Sequence, residues 1–148
     1  MPDTNKKSIL YVGEDLINYG LLQESFDKEQ FALTKPARNV GEAISEIESG
    51  QHWGALVWSL VFSTGPNPER YAGGMFAYKQ HDSDFLWRSS GLYIVERACQ
   101  KGLITIVSKV AEPDKALVEA RQLGAQIADG PFENRVNELK GIFRRALS

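Results

Sequence analysis

The sequence predicts an α/β protein in which a five-stranded parallel sheet lies between two layers of helices. Three observations lead there. Short apolar runs alternate along the chain with segments whose apolar residues recur at helical spacing. The longer runs are apolar at successive positions, as strands covered on both faces require. The repeated order of strand then helix calls for parallel pairing through right-handed crossovers and a three-layer sandwich.

The elements follow in order. After a polar start over residues 1–7, expected to be disordered, Ile9-Leu10-Tyr11-Val12 is a first strand closed by Gly13. Glu14 and Asp15 then stand where a helix dipole favours negative charge. Leu16, Tyr19, Leu22 and Phe26 supply the inward stripe of that helix. Phe31 to Thr34 is a second strand, stopped by Pro36. Asn39 is an N-cap with Glu42 three residues on, the pattern of a capping box. Val40, Ala43, Ile44 and Ile47 face the core, and Gly50 ends the helix. The run from Gly54 to Phe62 is the most apolar in the chain and reads as the central strand.

From Ser63 to Ser90 the pattern dissolves into Gly, Pro, aromatic and charged residues, an inserted loop of roughly 28 residues where connections usually take a handful. Ser89-Ser90-Gly91 then opens a helix with Leu92, Val95, Ala98 and Cys99 on one face, ending at Gly102. Leu103 to Val107 is the fourth strand. Glu112-Pro113 starts a helix with Leu117, Ala120 and Leu123 inward. Gln126 to Ala128 is the fifth strand, and Pro131-Phe132 leads into a last helix carrying Val136, Leu139, Phe143 and Leu147. Five such units suggest the flavodoxin-like strand order 2-1-3-4-5, with function at the carboxyl ends of the strands.

Composition narrows the function. With 148 residues the chain suits one domain, over residues 8–148. A formal charge of −2 leaves no basic footprint for nucleic acid. No apolar stretch approaches the length that spans a bilayer, and nothing marks a membrane-surface helix. The one cysteine, Cys99, falls in an apolar helical stripe and reads as a small core residue. A reducing cytoplasm is the expected setting.

The order and spacing of several pieces resemble the receiver (CheY-like) domain of response regulators over nearly the whole chain. They are Ile9-Leu10-Tyr11-Val12-Gly13-Glu14-Asp15, Val40-Gly41-Glu42-Ala43-Ile44, and Leu123-Gly124-Ala125 followed by a strand and Gly130-Pro131-Phe132. The resemblance implies a pocket that phosphorylates itself. It holds an acceptor Asp after the third strand, a carboxylate pair that holds Mg²⁺ after the first, a Thr or Ser after the fourth and a Lys after the fifth. The acyl phosphate needs a carboxylate, Mg²⁺ needs hard oxygen ligands, and the phosphoryl oxygens need a cation.

Carried over position by position, the acceptor falls on Ser59, and no Asp or Glu lies from Gln51 to Pro68. The carboxylate pair falls on Gly13 and Glu14, the hydroxyl on Ser108 and the lysine on Gly130, with no Lys between Lys115 and Lys140. One carboxylate and one hydroxyl survive. The expectation is a degenerate pseudo-receiver, not an enzyme and without cofactor or metal. It would be a bacterial signalling domain working through a protein partner or a second copy. The contact face implied is the fourth helix, fifth strand and fifth helix, residues 113–147.

Other features have plainer readings beside the functional ones. Tyr71, Phe76, Tyr78, Phe85 and Trp87 in the inserted loop form a candidate partner-binding flap, or fold back on their own domain. The same flap over the degenerate pocket gives the alternative of a small-molecule or nucleotide sensor. His81-Asp82-Ser83-Asp84 carries metal-ligand types, but no second cluster completes a site. Glu14 and Asp15 read as helix N-terminal charges before catalytic acids. Ser59 and Ser108 read as strand-end residues, and neither His52 nor His81 has a triad context. Val57-Trp58-Ser59-Leu60-Val61 lacks the glycines of a nucleophile elbow. Trp58 reads as a space-filler against a helix.

Overall fold

The computed structural model describes residues 6–58, 60, 83–109 and 114–147. The elements run β1 (Lys7–Val12), α1 (Leu16–Ser25), β2 (Phe31–Leu33), α2 (Val40–Glu48), β3 (Gly54–Val57), α3 (Ser83–Gln100), β4 (Ile104–Ser108), α4 (Asp114–Leu123), β5 (Gln126–Ala128) and α5 (Arg135–Leu147). A 3₁₀ turn, Phe132–Asn134, leads into α5. The strands form one sheet in the order β2-β1-β3-β4-β5, every pair parallel. This is the predicted architecture.

Alternate residues of each strand separate two cores, as the pleat requires. Leu10, Val12, Ala55, Val57 and Val107 face α2, α3 and α4, meeting Val40, Ala43, Ile47, Leu92, Val95, Ala98, Leu117 and Ala120. Ile9, Tyr11, Phe31, Leu33, Leu56, Trp58 and Ile106 face α1 and α5, meeting Leu22, Phe26, Leu139, Ile142 and Phe143. Rings of Phe26, Phe31 and Phe143 pack at centroid distances of 5.1–6.3 Å and tie α1, β2 and α5 together.

Local signals set the helix ends. The Asn39 carboxamide accepts the Glu42 N–H at 3.0 Å, the expected N-cap bond, and the Glu42 carboxylate reaches back to the Asn39 side-chain amide at 2.8 Å where a capping box would use its main-chain N–H. Gly102 and Gly124 close their helices at φ +78° and +114°, in the region that disfavours a side chain.

Four expectations need correction. Lys7 already belongs to β1, paired with Phe31, because main-chain pairing at the open end of a sheet does not need an apolar side chain. The remainder of the expected disordered start, residues 1–5, lies outside the described residues. The central strand stops at Val57 instead of Phe62, because its neighbour β1 turns away there. Trp58 N–H still reaches the Val12 carbonyl at 2.9 Å, but Gly13 N–H donates to Ala37. Leu16 is 47% exposed and does not belong to the inward stripe of α1.

The fourth correction is larger. Helix α3 begins at Ser83, not at Ser89-Ser90-Gly91, so the last eight residues of the expected loop 63–90 are helical and Phe85 and Trp87 lie on a helix. Gly91 imitated a boundary but is a packing residue. A Cβ there would stand 2.4 Å from the Leu60 carbonyl oxygen and 2.6 Å from its Cα. The helix crosses the chain leaving β3 at a distance that only glycine permits. Tyr71, Phe76 and Tyr78 lie outside the described residues, as do His81 and Asp82.

Candidate functional site at the carboxyl ends of the strands

Parallel strands deliver their carboxyl ends to one edge of the sandwich, where the segments after β1, β3, β4 and β5 converge. Gly13, Glu14, Ser108 and Gly130 all lie at this edge; Ser59 falls outside the described residues.

After β1, Gly13 is buried against its neighbours: a Cβ there would lie 3.1 Å from Trp58 Cβ and 3.3 Å from the Tyr11 ring. Glu14 is exposed. The next carboxylate, Asp15, is half-buried and hydrogen-bonded through both oxygens. As N-cap of α1 it accepts the Asn18 main-chain N–H at 2.9 Å and the Asn18 side-chain amide at 2.6 Å. Burial pushes its pKa up, but the hydrogen bonds from Asn18 and from the Trp58 side chain outweigh this and hold it below the usual carboxylate value.

After β3, Trp58 is 5% exposed and fills the space between β1 and the start of α5. Its ring lies 6.4 Å from that of Tyr11 and meets Phe132 edge-on at 6.2 Å. Tyr11 also packs on Tyr19 at 5.0 Å and donates its hydroxyl to the Asp15 carbonyl at 2.9 Å. Burial, with the charge of Asp15 second, drives the Tyr11 pKa far upward, so this phenol stays protonated. The space-filling reading of Trp58 holds.

After β4 and β5 comes a residue that the sequence reading missed. Arg135, first in α5, is 4% exposed and turns its guanidinium inward. One terminal nitrogen donates to Ser108 Oγ at 2.8 Å and to the Lys109 carbonyl; the other donates to the Gly130 carbonyl at 2.7 Å. Its Nε is buried without a hydrogen bond, 3.5 Å from Glu138 Oε1, and that oxygen accepts the Gly130 N–H at 3.1 Å. The Phe132 ring lies 5.8 Å from the guanidinium carbon. A search for lysine at the end of β5 passes over this cation, which enters from the next helix. Its sequence signal is slight: an arginine one residue before the apolar stripe of α5.

A second polar chain sits at the opposite, amino end of the sheet. His52 Nδ1 lies 2.8 Å from Ser8 Oγ and Nε2 lies 2.8 Å from Glu46 Oε1, linking β1, α2 and the turn before β3. The sequence offered no triad context for His52, because its partners are 44 and 6 residues away. Among the described residues, no group of three or more His, Cys, Asp or Glu side chains is arranged to hold a metal ion. None of the described helices is long and apolar enough to cross a membrane. Cys99 is free and half-buried, and burial pushes its thiol pKa up.

No protein-family model matches the chain, and no curated protein matches it significantly. Solved structures do. The chain is similar to a two-component response regulator from Clostridium difficile at 16% identity and TM-score 0.63, covering 97% of this chain and 100% of that one. A CheY-like receiver domain protein from Methanospirillum hungatei gives 16% identity and TM-score 0.61, covering 96% and 98%. A response regulator receiver protein from Pseudoalteromonas atlantica gives 14% identity and TM-score 0.63, covering 94% and 98%. At such identities the likeness shows the fold: a CheY-like, flavodoxin-like sandwich.

Proposed function

We propose that this chain is a bacterial, cytoplasmic receiver-like regulatory domain that acts through protein contacts and takes no phosphoryl group. One observation carries the reading: Ser108 and Asp15, polar groups at the carboxyl edge, are already bonded within the domain, while the surviving carboxylate Glu14 is exposed. Ser108 Oγ is held by Arg135, and the Asp15 carboxylate is held by Asn18 and Trp58. In the resemblance the acceptor position falls on Ser59, and no Asp or Glu lies from Gln51 to Pro68 to replace it. A serine hydroxyl cannot form the mixed anhydride on which receiver signalling rests. The terminal nitrogens of the Arg135 guanidinium are already committed to a hydroxyl and two carbonyls within the domain.

The contact face in this reading is α4, β5 and α5, used toward a protein partner or a second copy. Val118 on α4 and Phe132 before α5 are both about half exposed there, large apolar groups that a partner would cover. The sensor reading draws less support, because Trp58 and Arg135 fill the edge where a ligand would sit. An open groove of about 400 Å³ lies elsewhere, between the end of β2 and α2, lined by Thr34, Lys35, Pro36, Gly41, Glu42 and Glu46 among others.

The test is incubation of the purified protein with acetyl phosphate and Mg²⁺, followed by intact-mass measurement. The expected result is an unchanged mass. Gain of one phosphoryl group that hydroxylamine removes would overturn the proposal.

A further inference from the structure

The chain leaves β2 through a bulge. Thr34 N–H donates to the Ile9 carbonyl at 2.9 Å, so regular pairing would take the next bond to β1 from position 36. Pro36 has no N–H to give. Ala37 supplies the bond instead, reaching the Tyr11 carbonyl at 2.8 Å, and the extra residue sets Lys35 and Pro36 outward. The groove of about 400 Å³ lies between this bulge and Glu42, Ser45 and Glu46, which share one face of α2. Its volume falls within the range of small-molecule sites.

The charges on its walls are unanswered. Among the described residues, no carboxylate pairs with Lys35, and no Lys or Arg pairs with Glu42 or Glu46. Glu42 accepts the Asn39 side-chain amide at 2.8 Å, a neutral partner. Glu46 gives one oxygen to His52 Nε2 at 2.8 Å, and its second oxygen has no bond among the described residues. Two carboxylates at i and i+4 stand about 5–6 Å apart at Cβ. Pro36 and Ala37 add apolar wall.

One cation and two carboxylates select among ligands. A metal ion or a bare diamine meets Lys35 as a like charge, and a simple anion meets two carboxylates. A basic α-amino acid carries two cations and one carboxylate on an apolar stem, the complement of all three. We infer that the groove between β2 and α2 binds a free basic amino acid, its cationic groups on Glu42 and Glu46 and its carboxylate on Lys35. His52 reports occupancy from inside the fold: its side chain is 4% exposed, bonded to Glu46 on one side and to Ser8 Oγ on the other. None of the residues of the degenerate receiver pocket lines this groove, so the acetyl phosphate result does not bear on it.

The test titrates the full chain with L-lysine while amide and His52 ring signals are followed by nuclear magnetic resonance. Shifts are expected at Lys35, Ala37, Glu42 to Glu46 and the His52 ring. L-norleucine, without the side-chain ammonium, and cadaverine, without the carboxylate, are expected to bind about tenfold more weakly or worse. Glu46→Gln keeps an acceptor for His52 but removes the charge, and should weaken lysine about tenfold with an unchanged circular dichroism spectrum. Lys35→Met, at an exposed position, should abolish the preference for lysine over cadaverine.

No shift at the groove with about 10 mM lysine would overturn the inference, as would shifts that map elsewhere. Equal binding of norleucine would remove the role of the second carboxylate. Equal binding of cadaverine, or a preference for lysine that survives Lys35→Met, would remove that of Lys35. Either outcome overturns the assignment of ligand class.

Discussion

The Arg135 guanidinium donates to Ser108 Oγ across 2.8 Å, in a site where both residues are almost completely buried. The bond joins the end of β4 to the start of α5. The same side chain reaches the carbonyls of Lys109 and Gly130, so a single cation staples the segments after β4 and β5. Removing it takes the donor from three acceptors, the buried Ser108 hydroxyl and the part-buried carbonyls of Lys109 and Gly130.

Arg135→Ala should therefore destabilise the domain by roughly 2–4 kcal/mol, mostly from unsatisfied buried groups. Arg135→Lys should recover only part of this, since an ammonium on a straight stem cannot span all three acceptors in the plane of the guanidinium. Urea melts of the two variants beside the parent decide it. An alanine variant within about 0.5 kcal/mol of the parent would mean that the staple carries no load.

Two glycine-to-alanine changes should move stability in opposite directions. Gly20→Ala adds a methyl group in open space and should stabilise by about 0.5–1 kcal/mol through helix propensity. Gly91→Ala gains the same propensity but drives its Cβ into the Leu60 backbone, and should lose roughly 2 kcal/mol or more. Thermal melts read both. Equal signs would show that α3 does not press on the chain leaving β3.

Asp15 supplies a pH-dependent contribution. Its carboxyl pKa is lowered in the folded state, so the stability it adds is present above the unfolded carboxylate value, near 3.9. That stability disappears as pH falls through the lower folded value. Asp15→Ala should lose about 1 kcal/mol at neutral pH through the missing N-cap. The difference from the parent should shrink in strong acid, where the parent carboxyl is also protonated. A gap that stays constant down to about pH 2 would contradict the assignment.

His52 links Ser8 and Glu46 at 2.8 Å each, holding the turn before β3 against β1 and α2. His52→Ala should cost about 1–2 kcal/mol, with the Glu46 share small because that side chain is half in solvent. Hydrogen exchange at Trp53, whose N–H donates to the Ser8 carbonyl, should speed up more than exchange in β4. Uniform acceleration across the sheet would instead indicate a purely global effect.

Most of the architecture was legible in the sequence, because periodicity and caps are local. Five apolar runs and five helical stripes alternate, and Asn39 caps its helix where the spacing to Glu42 placed it. The errors arose where one residue type serves two purposes. Gly91 looked like a helix start because glycine ends helices more often than it packs them, and the Leu60 backbone that requires it is 31 residues away. Leu16 stands at the correct spacing for an inward stripe, yet α1 is apolar on both sides and spacing alone does not choose between them.

By itself the sequence determined the sheet, its order, and the absence of a carboxylate between Gln51 and Pro68, since these follow from composition and from patterns a few residues long. Only the tertiary structure decided what occupies the carboxyl edge. Ser108, Gly130 and Arg135 are brought together by strand pairing and by the turn into α5, and no local pattern records which way a long flexible side chain will point once those elements meet. A buried cation is held by the acceptors around it, and those acceptors exist as a set only in the folded chain.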